Sequence, residues 1–500
     1  MADLTPEDWF QRLSAMFMSP TRPQWQDRLM RPSVIRNSEG AGPAHISRYW
    51  TPRNQYLDTL WSYKVGDPPL PQIQPEYADA FRDVLRKARS NYAPMCIGAM
   101  LDRLELQAVS TLADSDADGD DLAADIMDET GFGAVLKNLF GFALSMGEGY
   151  GMVVPGVKGG ATLSSGALSP SIHAIDPRRC IGIPDLSNPV RLRAALVRQY
   201  DSITGEYSSH FFLPGEKWTL NWDDGLQKWS DAVYEPVEGL DALGGIPVVR
   251  FDNLDGLGEY EPHLDLLDRI NDTTLQRIIG FWYQALRQRA MFGDEDEGDE
   301  DEPDSAPVDW NTMLNAGPGA LWRFPSDFKL QELQQADFGP FINAKRDDVK
   351  EFAAVTSTPL HLITPDAANG SAEGAGLMRE SLTSKVRDRR TRWAPSLKLL
   401  WRIAFAMAGA EDRGREIRLH WGPIEFRTLA EKASASSQAA GTLSLEDRCD
   451  QIWEMSPDDT ARNIQRLTAD RMLNLGAAPN NQTPPTAAPA QTVPPAASGA

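Results

Sequence analysis

The feature that most restricts the fold is a run of apolar residues with helical spacing over residues 263–292. Apolar side chains recur there every three, four or five residues until Gly293, and the opposite face is polar. A helix of about 30 residues is ~45 Å long and extends beyond one small core. We therefore expect it to pack against other long helices or copies of itself. Its apolar positions are Leu264, Leu267, Ile270, Leu275, Ile278, Trp282, Leu286 and Ala290.

Two further helices follow in the second half of the chain. One is predicted to begin near Gly339 and to end before Pro359. The other is predicted over residues 372–408, with Pro395 kinking it. Between them, residues 359–376 contain three glycines and two prolines and are predicted to form a loop. Loops of this length between strong helices are usually functional.

The first half of the chain mixes helical and β-prone patterns. Helices are predicted over residues 54–113, with a loop at 65–76, and over 131–147. Short β-prone runs follow over residues 152–250, and the Asp224-Gly225 turn predicts a hairpin there. Its tryptophans, Trp218, Trp222 and Trp229, favour a packed face over stacking on nucleic-acid bases.

Residues 416–421 indicate a short strand, and Ser444 and Ser456 are typical helix caps because each is followed three residues later by an aspartate. Residues 477–500 lack any periodicity and are predicted to be disordered. The predicted fold class is α+β and mainly α.

The net charge limits the partners of the chain. Its 49 basic and 71 acidic residues give −22, a surface that repels phosphates and anionic membranes. Tight stationary binding to DNA is therefore not expected. The three cysteines are widely spaced without a CxxC pair, and no long apolar span occurs, so we expect reduced thiols, no signal peptide and no transmembrane helix.

Sequence motifs for catalysis are missing. The chain has no GxxxxGK[ST], GxSxG or HExxH motif, and its six histidines lack metal-ligand spacing. We therefore predict no catalytic residue, no metal, no cofactor and no enzymatic activity.

Two metal-dependent alternatives remain open. Asp114, Asp116, Asp118, Gly119 and Asp125 occupy positions of a calcium loop, although we favour an aspartate-rich surface loop before a helix as the explanation of the pattern. This would make the chain a calcium-stabilised structural protein. A metal-dependent DNA nuclease would use Asp304 and Asp327 as ligands and Lys329 to stabilise charge, but their spacing is loose, and Asp304 lies in an acidic run at 294–304.

The 372–408 helix is basic although the chain is acidic. Residues 377–402 hold eight Lys or Arg against two acids, a net charge of 8 − 2 = +6. Such a face is either solvated, in contact with phosphate, or in contact with the acidic surface of a neighbouring subunit. We favour the subunit contact, since opposite charges fix register and partner choice. Six of these eight basic residues are the candidates for that contact: Arg379, Lys385, Arg387, Arg389, Arg390 and Arg392.

Several segments resemble the portal, or head-to-tail connector, proteins of tailed double-stranded DNA bacteriophages, especially those of actinobacteria. The resemblance covers most of residues 45–476. It rests on "RNQYLDTLWSYKVGDPPL", "HAIDPRRCIGI", "GGIPVVRFDN", the long helix, and "ADFGPFINAKRDDVKEFAAVTSTPLHLI" leading into "NGSAEGAGLMRESLTSKVRDRRTRW". The acidic run within the clip departs from the family pattern.

The resemblance implies a division of the chain into portal segments, which together form a ring-building protomer with wing, helical stem, α/β clip and helical crown. The implied segments are an N-terminal arm at 1–44, the wing at 45–258, a stem helix at 259–292, the clip at 293–336, a second stem helix at 337–357, the tunnel loop at 358–371, the kinked helix and return strand at 372–424, the crown at 425–476 and a tail at 477–500.

The resemblance also implies a role and partners. The chain would form a dodecameric ring at one capsid vertex of the virion, assembled in the host cytoplasm, through which double-stranded DNA is packaged and ejected. Its partners would be the terminase large subunit, the head-tail adaptor, and the scaffold and major capsid proteins, with no membrane. Channel residues would be Thr364, Pro365, Asp366, Asn369, Gly370 and Ser371, and stem residues Arg287, Arg289, Lys345, Arg346 and Lys350.

Overall fold

The architecture is α+β and mainly helical, as predicted. A computed structural model describes residues 4–18, 51–71, 82–113, 119–157, 159–163, 166–223, 228–285, 289–292, 329–332, 339–363, 372–425 and 429–475. The helices are α1 Pro6–Met18, α2 Arg53–Val65, α3 Arg82–Lys87, α4 Ala93–Leu101, α5 Asp121–Thr130, α6 Phe132–Met146, α7 Leu264–Ala285, α8 Gly339–Val355, α9 Leu360–Ile363, α10 Ala372–Met407, α11 Leu429–Gln438, α12 Leu445–Gln451 and α13 Pro457–Leu475.

The strands form antiparallel sheets. One sheet has five strands in the order β4-β5-β6-β7-β8, another has three in the order β3-β2-β9, and β1 pairs with β12 and β10 with β11. The strands are β1 Leu106–Thr111, β2 Glu148–Val154, β3 Ser171–Ile175, β4 Cys180–Pro184, β5 Leu192–Tyr200, β6 Tyr207–Leu213, β7 Glu216–Asp223, β8 Lys228–Pro236, β9 Val248–Asp252, β10 Arg289–Phe292, β11 Lys329–Glu332 and β12 Ile417–Trp421.

The tryptophan hairpin is confirmed as β7 and β8. Trp222 lies directly opposite Trp229, with ring centroids 5.3 Å apart. Phe10 of α1 contacts Trp229 edge to face at 6.2 Å. The rings therefore pack on the sheet and on α1, which supports the packed-face interpretation.

The main core lies between α6 and α10. Phe140 stacks on Trp393 with centroids 4.5 Å apart, and Phe132 contacts Trp401 at 5.0 Å. Both tryptophans are buried. The prediction of a long helix here is confirmed, and the helix continues past Pro395. Between Glu380 and Arg392 the helix alternates buried residues, such as Leu382 and Val386, with exposed ones, while its second half is largely buried.

The long amphipathic helix is shorter than predicted. It ends at Ala285, and residues 289–292 form β10 instead, because their backbone groups pair with β11, which lies far along the chain. Helical periodicity over 263–292 could not reveal a distant strand partner. The helix also has a partner within the chain, since Arg269 pairs with Asp348 of α8 at 3.0 Å. Leu275 packs with Val84 and Leu85 of α3.

Two other predictions need correction. Residues 106–111, predicted as helical, form β1, because pairing with β12 satisfies their backbone. The predicted loop at 359–376 contains the short helix α9, and its last residues belong to α10, which begins at Ala372 as the helix prediction has it. By contrast, α8, β12 and the serine caps of α12 and α13 agree with prediction. Ser444 and Ser456 each accept a hydrogen bond from the backbone of the aspartate three residues later, at 3.0 and 3.1 Å.

A buried ionic cluster joins three of the segments that carry the family resemblance. Arg53 donates to Glu148 Oε1 at 2.7 Å and to the Cys180 carbonyl at 3.1 Å. Arg250 lies 3.7 Å from Glu148 Oε2 and donates to the Gly182 carbonyl at 3.2 Å. Both arginines and Glu148 are buried. The cluster fixes α2, β2, β4 and β9 against one another.

The three cysteines are buried as free thiols. Among the described helices, none has both the length and the apolar character to cross a membrane.

Replacing Glu148 should destabilise the fold strongly. In Glu148→Gln two buried arginines lose their shared counterion, and breaking a buried pair typically costs about 3–5 kcal/mol. Chemical denaturation should show a correspondingly lower midpoint. Glu416→Gln is the control, because Glu416 pairs with Arg418 on the surface and such pairs contribute about 0–1 kcal/mol. Equal midpoints for the two variants would contradict a structural role of the cluster.

Candidate functional site

The site centres on Glu259, at the end of a tight turn. Gly147 has φ +83°, and a Cβ there would lie 2.3 Å from the Gly256 carbonyl oxygen. A Cβ on Gly258 would lie equally close to the Ser145 carbonyl oxygen. Glycine therefore lets the turn pack against the end of α6. The Glu259 amide then donates to the Leu144 carbonyl at 2.7 Å, which fixes the position of the carboxylate.

Two cations of α10 converge on this carboxylate. Lys385 Nζ lies 2.5 Å from Glu259 Oε2, and Arg389 Nη2 donates to Oε1 at 2.9 Å. Asn253 Nδ2 also donates to Oε1, at 3.1 Å. The side chains of Glu259 and Arg389 are only 4% and 3% exposed. This is a desolvated, hydrogen-bonded ion set, which we call the Glu259 clamp.

The environment of Glu259 keeps it charged. Burial alone would raise the pKa of its carboxyl, but Lys385 and Arg389 outweigh burial and hold the pKa below the ordinary value of 4.5. The stabilisation is therefore fully present above pH 4.5 and is lost as the pH falls through the lower folded-state pKa.

The clamp connects three elements near the predicted tunnel loop. Lys385 also donates to the Thr356 carbonyl at 2.9 Å, and Thr356 caps the end of α8. Glu259 itself precedes α7 by a few residues. The exit of α8, the entry to α7 and the first half of α10 are thus tied together. The described chain stops at Ile363 and resumes at Ala372, and residues 364–371 lie between these two points.

The other basic residues of α10 divide into two groups. Arg390 is turned inward and donates to the carbonyls of Arg103 and Gly422. Burial lowers its pKa to about 10. Arg387 and Arg392 are exposed, and Arg392 lies 3.6 Å from Asp388. Hence Lys385, Arg389 and Arg390 make contacts within the protomer, while Arg387 and Arg392 face outward. The side chain of Arg379 lies outside the described residues.

Three of the five predicted stem residues lie on α8. Lys345 donates to Ser90 Oγ at 3.1 Å, and burial lowers its pKa. Arg346 is exposed, and Lys350 pairs with Asp347 at 3.2 Å on the surface. Arg289 lies in β10, with its side chain outside the described residues, as is all of Arg287. All six predicted channel residues, Thr364, Pro365, Asp366, Asn369, Gly370 and Ser371, also lie outside them.

Part of the aspartate-rich stretch that matches a calcium loop caps a helix. Asp120, inside the aspartate-rich stretch, accepts from the Ala123 amide at 3.0 Å and caps α5, and Arg413 pairs with it at 2.8 Å. Asp114, Asp116 and Asp118 lie outside the described residues, as do Asp304, Asp327 and the side chain of Lys329. Within the described ranges, no group of three or more His, Cys, Asp or Glu is arranged to hold a metal ion.

Sequence reasoning missed the central residue of the site. Glu259 lies in the stretch "NLDGLGEY", whose two glycines indicate a tight turn. The acid lies 130 residues before Arg389, so no local spacing connects them. The surplus of arginine in α10 was a signal to search for a buried acid, and we did not predict which acid it would be.

Removing the clamp charge should loosen the first half of α10. In Glu259→Gln, Lys385 and Arg389 stay close together without a counterion, so we expect faster hydrogen-deuterium exchange over residues 380–393. The pH dependence of that exchange between pH 5 and pH 3 should also weaken, because the titrating carboxyl is gone. Glu351→Gln is the control, since Glu351 pairs with Arg269 at the surface. Unchanged exchange in Glu259→Gln would show that the clamp does not hold the helix.

Comparisons with known proteins agree with these features. A family model described as "Phage portal protein, SPP1 Gp6-like" matches residues 82–471. The portal protein of Mycobacterium phage D29 is 25% identical over 283 residues, 53% of this chain and 54% of that protein. The alignment thus spans about half the length of that relative.

Two solved structures are similar at low identity. One is described as the neck of a native GTA particle computed with C12 symmetry, with 15% identity and a TM-score of 0.41. The other is described as the neck of an empty GTA particle computed with C6 symmetry, with 14% identity and a TM-score of 0.41. Each comparison covers 79% of this chain and 98% of the other.

The family match extends from α3 to the last turns of α13 and so includes the Glu259 clamp, the three helices that it ties together, and all of the described strands. The chain belongs to the SPP1 Gp6-like family of phage portal proteins.

Proposed function

We propose that the chain forms a ring at one vertex of a phage capsid, through which double-stranded DNA is packaged and later ejected. The ring would have twelve subunits and would dock the terminase large subunit and the head-tail adaptor, with scaffold and major capsid proteins around it. Its place is the virion, after assembly in the host cytoplasm. The family match over residues 82–471 is the observation that carries this proposal.

The charge of the chain suits a passive conduit. Each phosphate contact adds affinity through counterion release, so a wall rich in cations would hold the duplex still. A net charge of −22 disfavours such contacts and leaves the duplex free to slide. The energy for movement would come from a separate ATP-driven terminase, since this chain has no phosphate-cradling GxxxxGK[ST] loop.

The Glu259 clamp supports a guiding role for residues 364–371. A loop that touches moving DNA needs a fixed base, and Lys385 lies in the helix that follows this segment. Because Lys385 bonds both Glu259 and the Thr356 carbonyl, the clamp holds the end of α8 and the start of α7 near that base. The described residues on either side of the segment are thereby held in place.

The ring itself is the first prediction to test. Purified protein should elute from gel filtration as an assembly of many hundreds of kilodaltons, and two-dimensional class averages should show a ring with a central hole wide enough for a duplex. Incubation with magnesium and linear DNA should leave the DNA intact, which separates this proposal from the nuclease alternative. A stable monomer at every concentration tried would overturn the proposal.

Shortening residues 364–371 should affect DNA movement and spare assembly. The clamp lies outside this segment, so rings should form normally and remain as stable as the wild type. Packaged DNA length, measured by pulsed-field electrophoresis of DNA from particles, should decrease. A matched control shortens the connection between β7 and β8 at residues 224–227, which is distant in sequence from 364–371. Unchanged DNA length in the 364–371 variant would contradict a channel role for this segment.

A further inference from the structure

A cleft lined by cations lies beside the outward face of α10. Its volume is about 850 Å³, within the ~300–1,000 Å³ typical of binding pockets. Among the described residues, no acidic side chain lines it, although the chain as a whole is strongly acidic. Its floor is apolar and includes Pro395, Leu399 and Ile424. The cations that line it are Arg191, Arg387, Arg390, Lys398 and Arg402.

None of these five cations lies within ion-pair distance of a carboxylate of the described residues. Arg191 and Arg402 each donate to a backbone carbonyl, of Ala242 at 2.8 Å and of Gly414 at 2.9 Å. The Nε of Arg390 is buried without a hydrogen-bond partner in the described residues. An apolar floor with a rim of cations that have no direct ion-pair partner there fits a ligand that is both apolar and acidic.

The chain exposes a feature of that chemistry at the β5–β6 turn, residues 200–207. Ile203 is 93% exposed, more than any other large apolar side chain described. It lies between Asp201 and Glu206, and the rings of Tyr200 and Tyr207 contact each other at 4.6 Å below it. We call this turn the acidic knob.

The acidic knob has a defined shape. The Asp201 carboxylate accepts from the Ile203 amide at 2.8 Å, and the Asp201 amide donates to the Glu206 carbonyl at 2.9 Å. Gly205 has φ +75°, which a turn of this kind requires, and its amide donates to the Asp201 carbonyl at 2.8 Å. A turn ordered in advance loses little conformational entropy when it docks.

The acidic knob and the cleft lie at opposite ends of one strand. Arg191 immediately precedes β5, and the knob begins at Tyr200, where β5 ends. Nine residues of extended strand separate them by about 30 Å. The knob therefore cannot enter the cleft of its own chain. Contacts between two different patches on successive copies repeat from copy to copy, and they generate rings when the rotation closes.

We propose that the acidic knob of one copy docks into the basic cleft of the next copy. Ile203 covers the apolar floor, and the carboxylates of Asp201 and Glu206 neutralise Arg387 and its neighbours. This inference rests on the proposed ring and adds the contact that sets its direction. It also gives Arg387 the inter-subunit role expected from the sequence.

Disulfide trapping tests the contact directly. The native cysteines are buried, so new surface cysteines can be paired without interference. Oxidation of the Ile203→Cys, Thr391→Cys double variant should give a ladder of dimers, trimers and larger products on a denaturing gel, because Thr391 lines the cleft. Each single variant, and the control pair Ile203→Cys with Leu112→Cys, should give no ladder.

The outcomes separate this inference from the proposed function. Rings seen by mass photometry without a ladder would overturn the docking contact and leave the ring intact. Products that stop at the dimer would show a reciprocal pair and also overturn it. A protein that stays monomeric throughout would overturn both the contact and the ring.

A charge swap provides an independent test. Glu206→Lys should raise the concentration needed for half-assembly about tenfold, since like charges would then meet at the cleft. Adding Arg387→Glu to that variant should restore assembly, and Glu238→Lys, an exposed reversal outside the knob, should leave it unchanged. No rescue by the double reversal would overturn the contact. Loss of binding to a fluorescent DNA duplex in Arg387→Glu, with assembly unchanged, would assign the cleft to DNA instead.

Discussion

The structure depends on a buried carboxylate with two cations. Glu259 is nearly inaccessible to solvent, and its charge is stable there only because Lys385 and Arg389 surround it. Removing Glu259 would leave Lys385 and Arg389 close together without their shared counterion, so the set depends on this carboxylate. Since they come from the entry of α7 and from α10, the packing of these two helices is fixed electrostatically as well as by apolar contact.

A second buried set, Arg53 with Glu148 and Arg250, follows the same rule in the β-rich half. In both sets one carboxylate serves two cations. The buried arginines of the described chain, Arg53, Arg250 and Arg389, are thus each held by a buried carboxylate rather than by solvent.

Local patterns in the sequence predicted most of the helices well. Gly339 and Pro359 bracket α8, and capping serines mark α12 and α13, because these signals act within one or two turns. The errors occur where a distant partner decides the outcome. Residues 289–292 have helical spacing but form a strand paired with β11. Residues 106–111 were also predicted as helical and form a strand paired with β12. Their hydrogen-bond partners lie tens to hundreds of residues away.

Only part of the candidate site could be predicted, again because the partners of its residues are distant in sequence. An excess of arginine is visible in a sequence, so α10 was recognised as unusual. Which acid neutralises each arginine depends on tertiary packing, and Glu259 is 130 residues from Arg389. Local spacing also cannot distinguish Arg390, which bonds backbone carbonyls, from Arg387, which faces solvent. The fold class and the family resemblance do not depend on which residues pair, so both could be inferred from the sequence alone.

The short pairing of β10 with β11 has an implication for how this chain can change over evolution. Arg289 lies opposite Glu332 and Phe292 opposite Lys329, so the chain departs and returns through neighbouring strands about 5 Å apart. The free energy of closing a loop rises only slowly with its length. Whatever sequence stands between Phe292 and Lys329 can therefore be lengthened, shortened or exchanged with little effect on the folding of the rest. In evolution, that insert could therefore change to bind a new partner while the sequence of the remaining protein stays the same.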